Sequence, residues 1–211
     1  MTKPWEKPSP GRRAAGTRER RRMLIVCEDS KSSRDYFDSF GVDPKRAEVV
    51  TLGMGMNTDS LVEQATLRKD KAARSGKPCN GVWCVFDRDS FPLENYDRAF
   101  QRARAEGIKV AWSNEAFEIW YLLHFNYHDT GISRHDYKEK LRKCGLEYDK
   151  ADKGTYARLK DRQDTALKHA RMLEQAWNER DERFPQRQNP STNVHRLVEF
   201  LNELSDLGGT D

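Results

Sequence analysis

Acidic side chains follow three apolar stretches of the chain closely enough to suggest metal chemistry. The acids are Glu28, Asp87 with Asp89, and Glu118, which follow the apolar runs 23–27, 81–86 and 108–112. Residues two apart in an extended segment point the same way, so Asp87 and Asp89 can present both carboxylates to one point. Carboxylate oxygens suit Mg²⁺ or Mn²⁺, and Mg²⁺ is usually held by one or two carboxylates together with substrate phosphates. The pattern predicts a metal site from these four acids, with Glu28 as a further ligand or a proton-transfer group.

Each acid also has an ordinary structural interpretation. Carboxylates near strand ends and first helical turns often cap backbone N–H groups or complement the helix dipole. The segment 87–89 can form a turn with local salt bridges, and Glu118 can be a solvated helix residue. Glu115 lies three residues earlier, on the same helical face, and fits a cap equally well. The coincidence of Glu28 with the Asp pair at separate strand ends favours the metal site.

Alternating apolar runs and amphipathic segments position these acids. Strands are predicted at 23–27, 48–52, 81–86 and 108–112, and the segments between them have helical periodicity. This alternation is typical of an α/β fold with a mainly parallel sheet. Ligands bind beyond the carboxyl ends of the strands in such sheets, which is where the acids lie.

Charge divides the chain into segments. The 211 residues include 38 basic and 34 acidic side chains, a net of +4, and only 36% are hydrophobic. Eight basic and two acidic residues fall in 1–22, so this segment alone carries +6. The predicted organisation is a disordered basic tail at 1–22, an α/β core at 23–132, a helical appendage at 133–188, a C-terminal helix packing back on the core at 189–205 and a disordered end at 206–211. The tail is either a phosphate-attracting arm or a solvated leader.

The hydrophobic pattern also bears on location. No apolar run approaches the roughly 18 residues that a transmembrane helix needs, so no membrane span is predicted. The basic tail lacks the apolar region of a secretory signal. We therefore expect a cytoplasmic protein.

Polar and basic residues elsewhere are candidate phosphate contacts. They are Asn189, Ser191, Thr192 and Asn193 at the start of the last predicted helix, and the cluster Lys138, Lys140, Arg142 and Lys143. A helix start offers free N–H groups to an anion, although ordinary capping beside Pro190 is the alternative. A basic cluster can follow a phosphate backbone or be a solvated face.

Two further residues are candidate catalytic groups. His195 is a possible general acid or base, or a histidine at the edge of the core. Lys31, close to Glu28, can stabilise phosphoryl charge or form a plain salt bridge.

Four blocks of the sequence resemble the RloB family, which is related to the Toprim fold of topoisomerases, primases and OLD-type nucleases. The blocks are LIVCEDSKSSRDYF (24–37), VFDRDSF (85–91), SNEAFEIWYLLHF (113–125) and NPSTNVHRLVEFL (189–201). The resemblance implies a Toprim-like fold and a metal-dependent phosphodiester site. In that site Glu28 is the acid of the first strand, Asp87 and Asp89 hold Mg²⁺, and Glu118 is the later acid. It also implies phage defence at restriction-modification or abortive-infection loci, with nucleic acid as target and often an ATPase as partner.

The first block departs from the family pattern. Relatives have an acid-rich block with a glycine, whereas this chain has Glu28-Asp29-Ser30-Lys31-Ser32-Ser33. Asp29 replaces the glycine, and Ser30 and Ser33 replace acids, which argues against a second metal. A nuclease is therefore one expectation, and a catalytically weak nucleic-acid-binding or sensor subunit that works with an ATPase is the other.

Overall fold

A computed structural model describes residues 20–55, 58–88 and 93–206. Most of the predicted basic tail (1–19), the chain end (207–211) and Asp89 lie outside the described residues. Within them the chain is an α/β protein built on a five-stranded sheet. The predicted mainly parallel α/β fold is confirmed.

The four predicted strands form the parallel part of the sheet. They are β1 (Arg21–Cys27), β2 (Ala47–Gly53), β3 (Gly81–Asp87) and β4 (Lys109–Asn114). The strand order is β2-β1-β3-β4, followed by a fifth strand. The chain leaves β1 for one neighbour, β2, and then crosses to its other neighbour, β3. The strand order thus reverses between β1 and β3, and the carboxyl ends at such a switch point form the ligand crevice of open α/β sheets.

The apolar runs form strands because both faces of the sheet are covered. Leu24 and Val26 pack into one hydrophobic cluster, whereas Met23, Ile25 and Cys27 pack into the other. Strands buried on both faces have continuous apolar sequences. Strand β1 begins at Arg21, so the last two residues of the predicted tail are part of the sheet.

Eight α-helices lie within the described residues. They are α1 (Ser32–Asp38), α2 (Thr58–Arg74), α3 (Leu93–Ala105), α4 (Glu118–Leu123), α5 (Tyr137–Lys143), α6 (Thr155–Leu159), α7 (Gln163–Glu179) and α8 (Val194–Asp206). Helices α2 and α3 contribute to the smaller cluster, whereas α1 and α4 to α8 contribute to the larger one. The predicted appendage is helical and shares one hydrophobic core with the sheet. No helix in the described part of the chain is long and apolar enough to cross a membrane.

The last block differs from the prediction. Ser191 and Thr192 form a short strand, β5 (Ser191–Thr192), antiparallel to β4, and helix α8 begins only at Val194. Two polar residues have no strand-like periodicity, and their partner strand lies about 80 residues earlier. Local sequence therefore predicts a helix start where tertiary pairing makes a strand.

Candidate functional site

Glu28 and Asp87 meet at the switch point of the sheet. Cys27 of β1 lies opposite Val85 of β3, so both chains leave the sheet side by side. The backbone N–H of Asp87 donates to Oε2 of Glu28 at 3.0 Å. The backbone N–H of Glu28 donates in turn to the carbonyl of Val85 at 2.8 Å. The carboxyl ends of β1 and β3 therefore lie side by side, and the metal site predicted there stays a prediction.

The other oxygen of Glu28 is held by the helix that follows β2. The hydroxyl of Thr58, at the start of α2, donates to Oε1 of Glu28 at 3.2 Å. Only 9% of Glu28 is exposed. The hydrogen bonds from Thr58 and from the Asp87 backbone hold both oxygens of Glu28 and orient the carboxylate.

Glu118 occupies the first turn of α4 and is held through one oxygen. The hydroxyl of Tyr148 donates to its Oε1 at 2.6 Å, Ser32 donates to the same atom at 3.4 Å, and the ammonium of Lys150 lies 3.7 Å away. Among the residues described, Oε2 has no hydrogen-bonding or ionic partner. Glu118 is therefore oriented by its neighbours and keeps one oxygen open for further chemistry.

A buried hydroxyl network connects Glu118 to the first block. The hydroxyls of Ser32 and Tyr148 lie 2.8 Å apart, and Tyr121 donates to the carbonyl of Ser32 at 2.8 Å. Sequence reasoning did not identify Tyr148 or the role of Ser32. Ser32 lies in the block that follows Glu28, which is a usable signal, but no local pattern marks Tyr148, 30 residues beyond Glu118.

Buried tyrosines surround the acids. Burial, followed by the negative charge of Glu118, raises the pKa of Tyr148 far above its usual value. Burial also raises the pKa of Tyr137, and the charges of Asp87, Glu118 and Glu115 add to the effect. These phenols stay protonated at neutral pH and can donate hydrogen bonds. The negative charges of Asp87 and Glu118 thus both raise the pKa of Tyr137.

The described acids do not form a ready-made metal cluster. Within residues 20–55, 58–88 and 93–206, no three His, Cys, Asp or Glu side chains lie together in a way that could hold a metal ion. Glu118 therefore does not join Glu28 and Asp87 in a three-ligand set, and its Oε1 is held by Tyr148 and Ser32. Glu28 and Asp87 fit a hard cation by donor type, and they stand at adjacent strand ends. Asp89 lies outside the described residues, so the predicted Asp-x-Asp pair stays a prediction.

The serine-rich first block has a structural role at α1. Asp29 Oδ1 accepts hydrogen bonds from the backbone N–H of Ser33 at 3.2 Å and from its hydroxyl at 2.7 Å. These contacts satisfy donors of the first helical turn. Lys31 precedes the helix with its side chain exposed, and it makes no ion pair with a residue in the described ranges. The salt-bridge alternative for Lys31 is therefore not seen.

His195 lies beside a helix of the appendage. It is 2% exposed, and its Nε2 lies 3.4 Å from Oε2 of Glu174 on α7. Hydrogen bonding from His195 lowers the pKa of Glu174, and Arg196 assists. This geometry favours the core-edge alternative over a catalytic role.

Asn189 connects loops instead of presenting a free amide. Its Nδ2 donates to Oε1 of Glu115 at 3.3 Å, and its Oδ1 accepts from the backbone N–H of Ile132 at 3.2 Å. The other oxygen of Glu115 accepts from the backbone N–H of Arg134 at 3.0 Å. Glu115 and Asn189 together fix the segment that leads into α5.

The remaining polar residues of the last block form hydrogen bonds with backbone groups of the protein. Ser191 donates to the carbonyl of Gln188, Thr192 donates to the carbonyl of Trp112 at 2.9 Å, and both are 3% exposed. Asn193 accepts from the backbone N–H of Trp112 at 2.6 Å, and its amide donates to the carbonyl of Val110. The geometry favours structural capping over the predicted phosphate contacts.

The basic cluster lies on the outer side of α5. Lys138, Arg142 and Lys143 are exposed, whereas Tyr137 and Leu141 point into the core. Lys143 pairs with Glu139 one turn earlier at 2.6 Å. These contacts are those of a solvated helix face, and the phosphate role of the cluster stays a prediction.

Fold and site define an α/β protein with Glu28 and Asp87 at adjacent strand ends, at the switch point of a mainly parallel sheet. The family model described as RloB-like protein matches residues 23–201. The chain therefore belongs to the RloB family. No curated protein and no solved structure matches it.

Proposed function

We propose that this protein is a Toprim-type, Mg²⁺- or Mn²⁺-dependent nuclease or related phosphodiester-processing enzyme. The observation that carries the proposal is the hydrogen bond from the Asp87 N–H to the Glu28 carboxylate at 3.0 Å. It places the Glu28 carboxylate against the backbone of Asp87 at the switch point of the sheet, where α/β proteins bind ligands. The chain continues from Asp87 to Asp89, which supplies a third acid within two residues.

The roles of the residues follow from their surroundings. Glu28, Asp87 and Asp89 would hold the cation, and Glu28 is already oriented by Thr58. When bound, the metal supplies charge neutralisation at the scissile phosphate and a more acidic water. Glu118, with one oxygen held and one open, would accept a proton at the edge of this site.

A binding or sensor subunit that works with an ATPase partner is the second candidate. Two observations favour it. Ser33 stands where relatives have an acid and is used to cap α1 with Asp29. Glu118, Glu28 and Asp87 do not form a three-ligand metal cluster within the described residues. A protein of this kind would bind nucleic acid without turning it over.

Cleavage assays separate the two candidates. Labelled single-stranded and double-stranded DNA and RNA are incubated with Mg²⁺ or Mn²⁺ and either wild type or the double variant Asp87→Ala, Asp89→Ala. We expect cleavage by wild type alone. Equal cleavage by both proteins excludes the proposed site, whereas binding without any cleavage supports the sensor subunit.

Phage defence rests on family membership. The proposal predicts that cells expressing the protein with its neighbouring genes resist infection, and that the same double variant abolishes resistance. Plaque counts on matched strains test this. Full resistance with the double variant would separate defence from the acid site.

A further inference from the structure

Three lysines surround a crevice next to Glu118, outside the basic cluster predicted on α5. Lys31, Lys150 and Lys153 line this crevice together with Tyr148 and Tyr121. Lys31 precedes α1, and Lys150 and Lys153 lie in the loop before α6. The crevice therefore joins the first block of the α/β core to the helical appendage.

The acids of the same crevice have partners within the protein. Asp35 pairs with Arg34 at 2.9 Å, and Asp152 pairs with Arg158 at 2.5 Å. Asp149 accepts a hydrogen bond from the backbone N–H of Ala151 at 2.7 Å. The negative charges of Asp35 and Asp152 are thus offset by neighbouring arginines, and the carboxylate of Asp149 is held by the backbone.

The lysines have no comparable partners. The side chains of Lys31 and Lys153 are exposed, and neither forms an ion pair within the described segments. Lys150 is 55% exposed, and its ammonium lies 3.7 Å from Oε1 of the buried Glu118. Lys31 and Lys153 are therefore available to an anion, and the half-exposed Lys150 lies beside Glu118.

We propose that Lys31, Lys150 and Lys153 form the contact surface for the phosphate backbone of a nucleic-acid strand, which they guide to the Glu28–Asp87 edge. This inference rests on the proposed function, because it names the substrate-binding surface of that site. Ammonium groups attract successive phosphates and release their counterions. The positive rim also offsets the repulsion between an incoming phosphate and the carboxylates.

The test measures binding in the absence of cleavage. The triple variant Lys31→Gln, Lys150→Gln, Lys153→Gln is compared with wild type by fluorescence anisotropy, using labelled single-stranded DNA, single-stranded RNA and duplex DNA over a range of KCl concentrations. Parallel series contain EDTA or Ca²⁺. The full-length chain is used throughout, and circular dichroism confirms that each variant is folded.

The expected result is a change in salt dependence. For a single strand, each lost phosphate contact makes the slope of log affinity against log salt shallower by about 0.7. The slope of the triple variant should therefore be shallower than that of wild type by about 2. A matched variant removes three exposed lysines at the opposite end of the sheet, Lys45→Gln, Lys71→Gln and Lys77→Gln, and should keep the wild-type slope. The strand that shows the largest difference identifies the nucleic acid.

Each contrary result has a separate meaning. An unchanged slope in the crevice variant, or an equal loss in the matched variant, overturns the proposed surface. A third variant carries Lys138→Gln, Lys140→Gln and Lys143→Gln. If this variant loses the salt dependence of binding and the crevice variant keeps it, the proposed surface is wrong and the phosphate backbone binds along α5. If the slope depends on the crevice lysines but wild type cleaves nothing, the surface stands and the nuclease fails. If wild type binds no nucleic acid in either series, both fail.

Discussion

Tyr148 donates a hydrogen bond to Oε1 of Glu118 at 2.6 Å, and this contact joins the helical appendage to the acid-bearing end of the core. Tyr148 is 7% exposed, and its hydroxyl also lies 2.8 Å from that of Ser32. A phenol with a strongly raised pKa stays protonated here, so it donates to the carboxylate at all physiological pH values. The orientation of Glu118 thus depends on a residue from a different part of the chain.

Replacing Tyr148 with Phe should destabilise the protein. A hydrogen bond to a charged group contributes about 1.5–3 kcal/mol, so we expect the free energy of unfolding to fall by that amount. Urea unfolding at neutral pH measures the change. Tyr127→Phe is the matched control, because the same atom is removed from a partly exposed ring. A loss below about 0.5 kcal/mol in Tyr148→Phe would show that the contact does not hold Glu118.

Gly53 allows the first block to pack against the end of β2. A Cβ added at this position would lie 2.5 Å from the Cα of Ser30 and 2.7 Å from the carbonyl oxygen of Asp29. Both neighbours are backbone atoms, so the segment after Glu28 must shift. We expect Gly53→Ala to cost about 1–3 kcal/mol of unfolding free energy, as overpacking does.

The control for Gly53 is another glycine with open space. A Cβ added at Gly41 meets nothing within 4 Å, so Gly41→Ala should leave stability unchanged or slightly higher. Thermal unfolding of the two variants side by side tests the idea. Equal melting temperatures for both would show that the approach of Ser30 to β2 is not tight in solution.

The strands and the first site residues could be predicted from the sequence because their signals are local. The run 23–27 is apolar throughout since both of its faces are buried, and Glu28 ends it abruptly. Parallel strands share a carboxyl edge, so the proximity of Glu28 and Asp87 follows from topology alone.

The features that the sequence did not predict depend on contacts between residues far apart in the chain. Tyr148 reaches Ser32 across 116 positions, and Thr192 reaches Trp112 across 80. Ser, Thr and Asn cap helices, bind anions and bond to strand edges with the same atoms, so residue type does not distinguish these roles. Only the folded chain shows that Thr192 and Asn193 bond to β4.

His124 should make the protein less stable in mild acid. It is fully buried, and burial lowers its pKa from 6.5 to about 4, although a bond to the carbonyl of Trp120 opposes the shift. The unfolded chain therefore takes up a proton below pH 6.5 that the folded chain refuses until about pH 4. Stability is fully present above pH 6.5 and falls by about 3 kcal/mol in total as the pH drops to 4.

Urea unfolding as a function of pH tests the prediction for His124. The variant His124→Asn removes the titrating ring, so its stability should change less between pH 6.5 and pH 4 than that of wild type. Absolute stability will be lower in the variant because a buried side chain has been shortened, so only the pH dependence is compared. His135→Gln, an exposed control, should keep the wild-type profile. A parallel decline in wild type and His124→Asn would assign the acid sensitivity to other groups.

Divalent cations should stabilise the wild-type protein through Glu28, Asp87 and Asp89. A ligand that binds only the folded state at about 100 times its dissociation constant adds about 2.7 kcal/mol, which for a chain of this size raises the melting temperature by about 5–10 °C. We expect Mg²⁺ or Mn²⁺ to produce this shift in wild type and not in Asp87→Asn, Asp89→Asn. Asp70→Asn with Glu147→Gln removes two exposed acids elsewhere and should respond like wild type.

If the melting temperature of the Asp87–Asp89 variant rises as much as that of wild type, the cation binds elsewhere. Calorimetric titration with Mn²⁺ then shows which acids bind the cation. Replacing a metal-ligating Asp or Glu with Asn or Gln must lower the measured affinity for Mn²⁺.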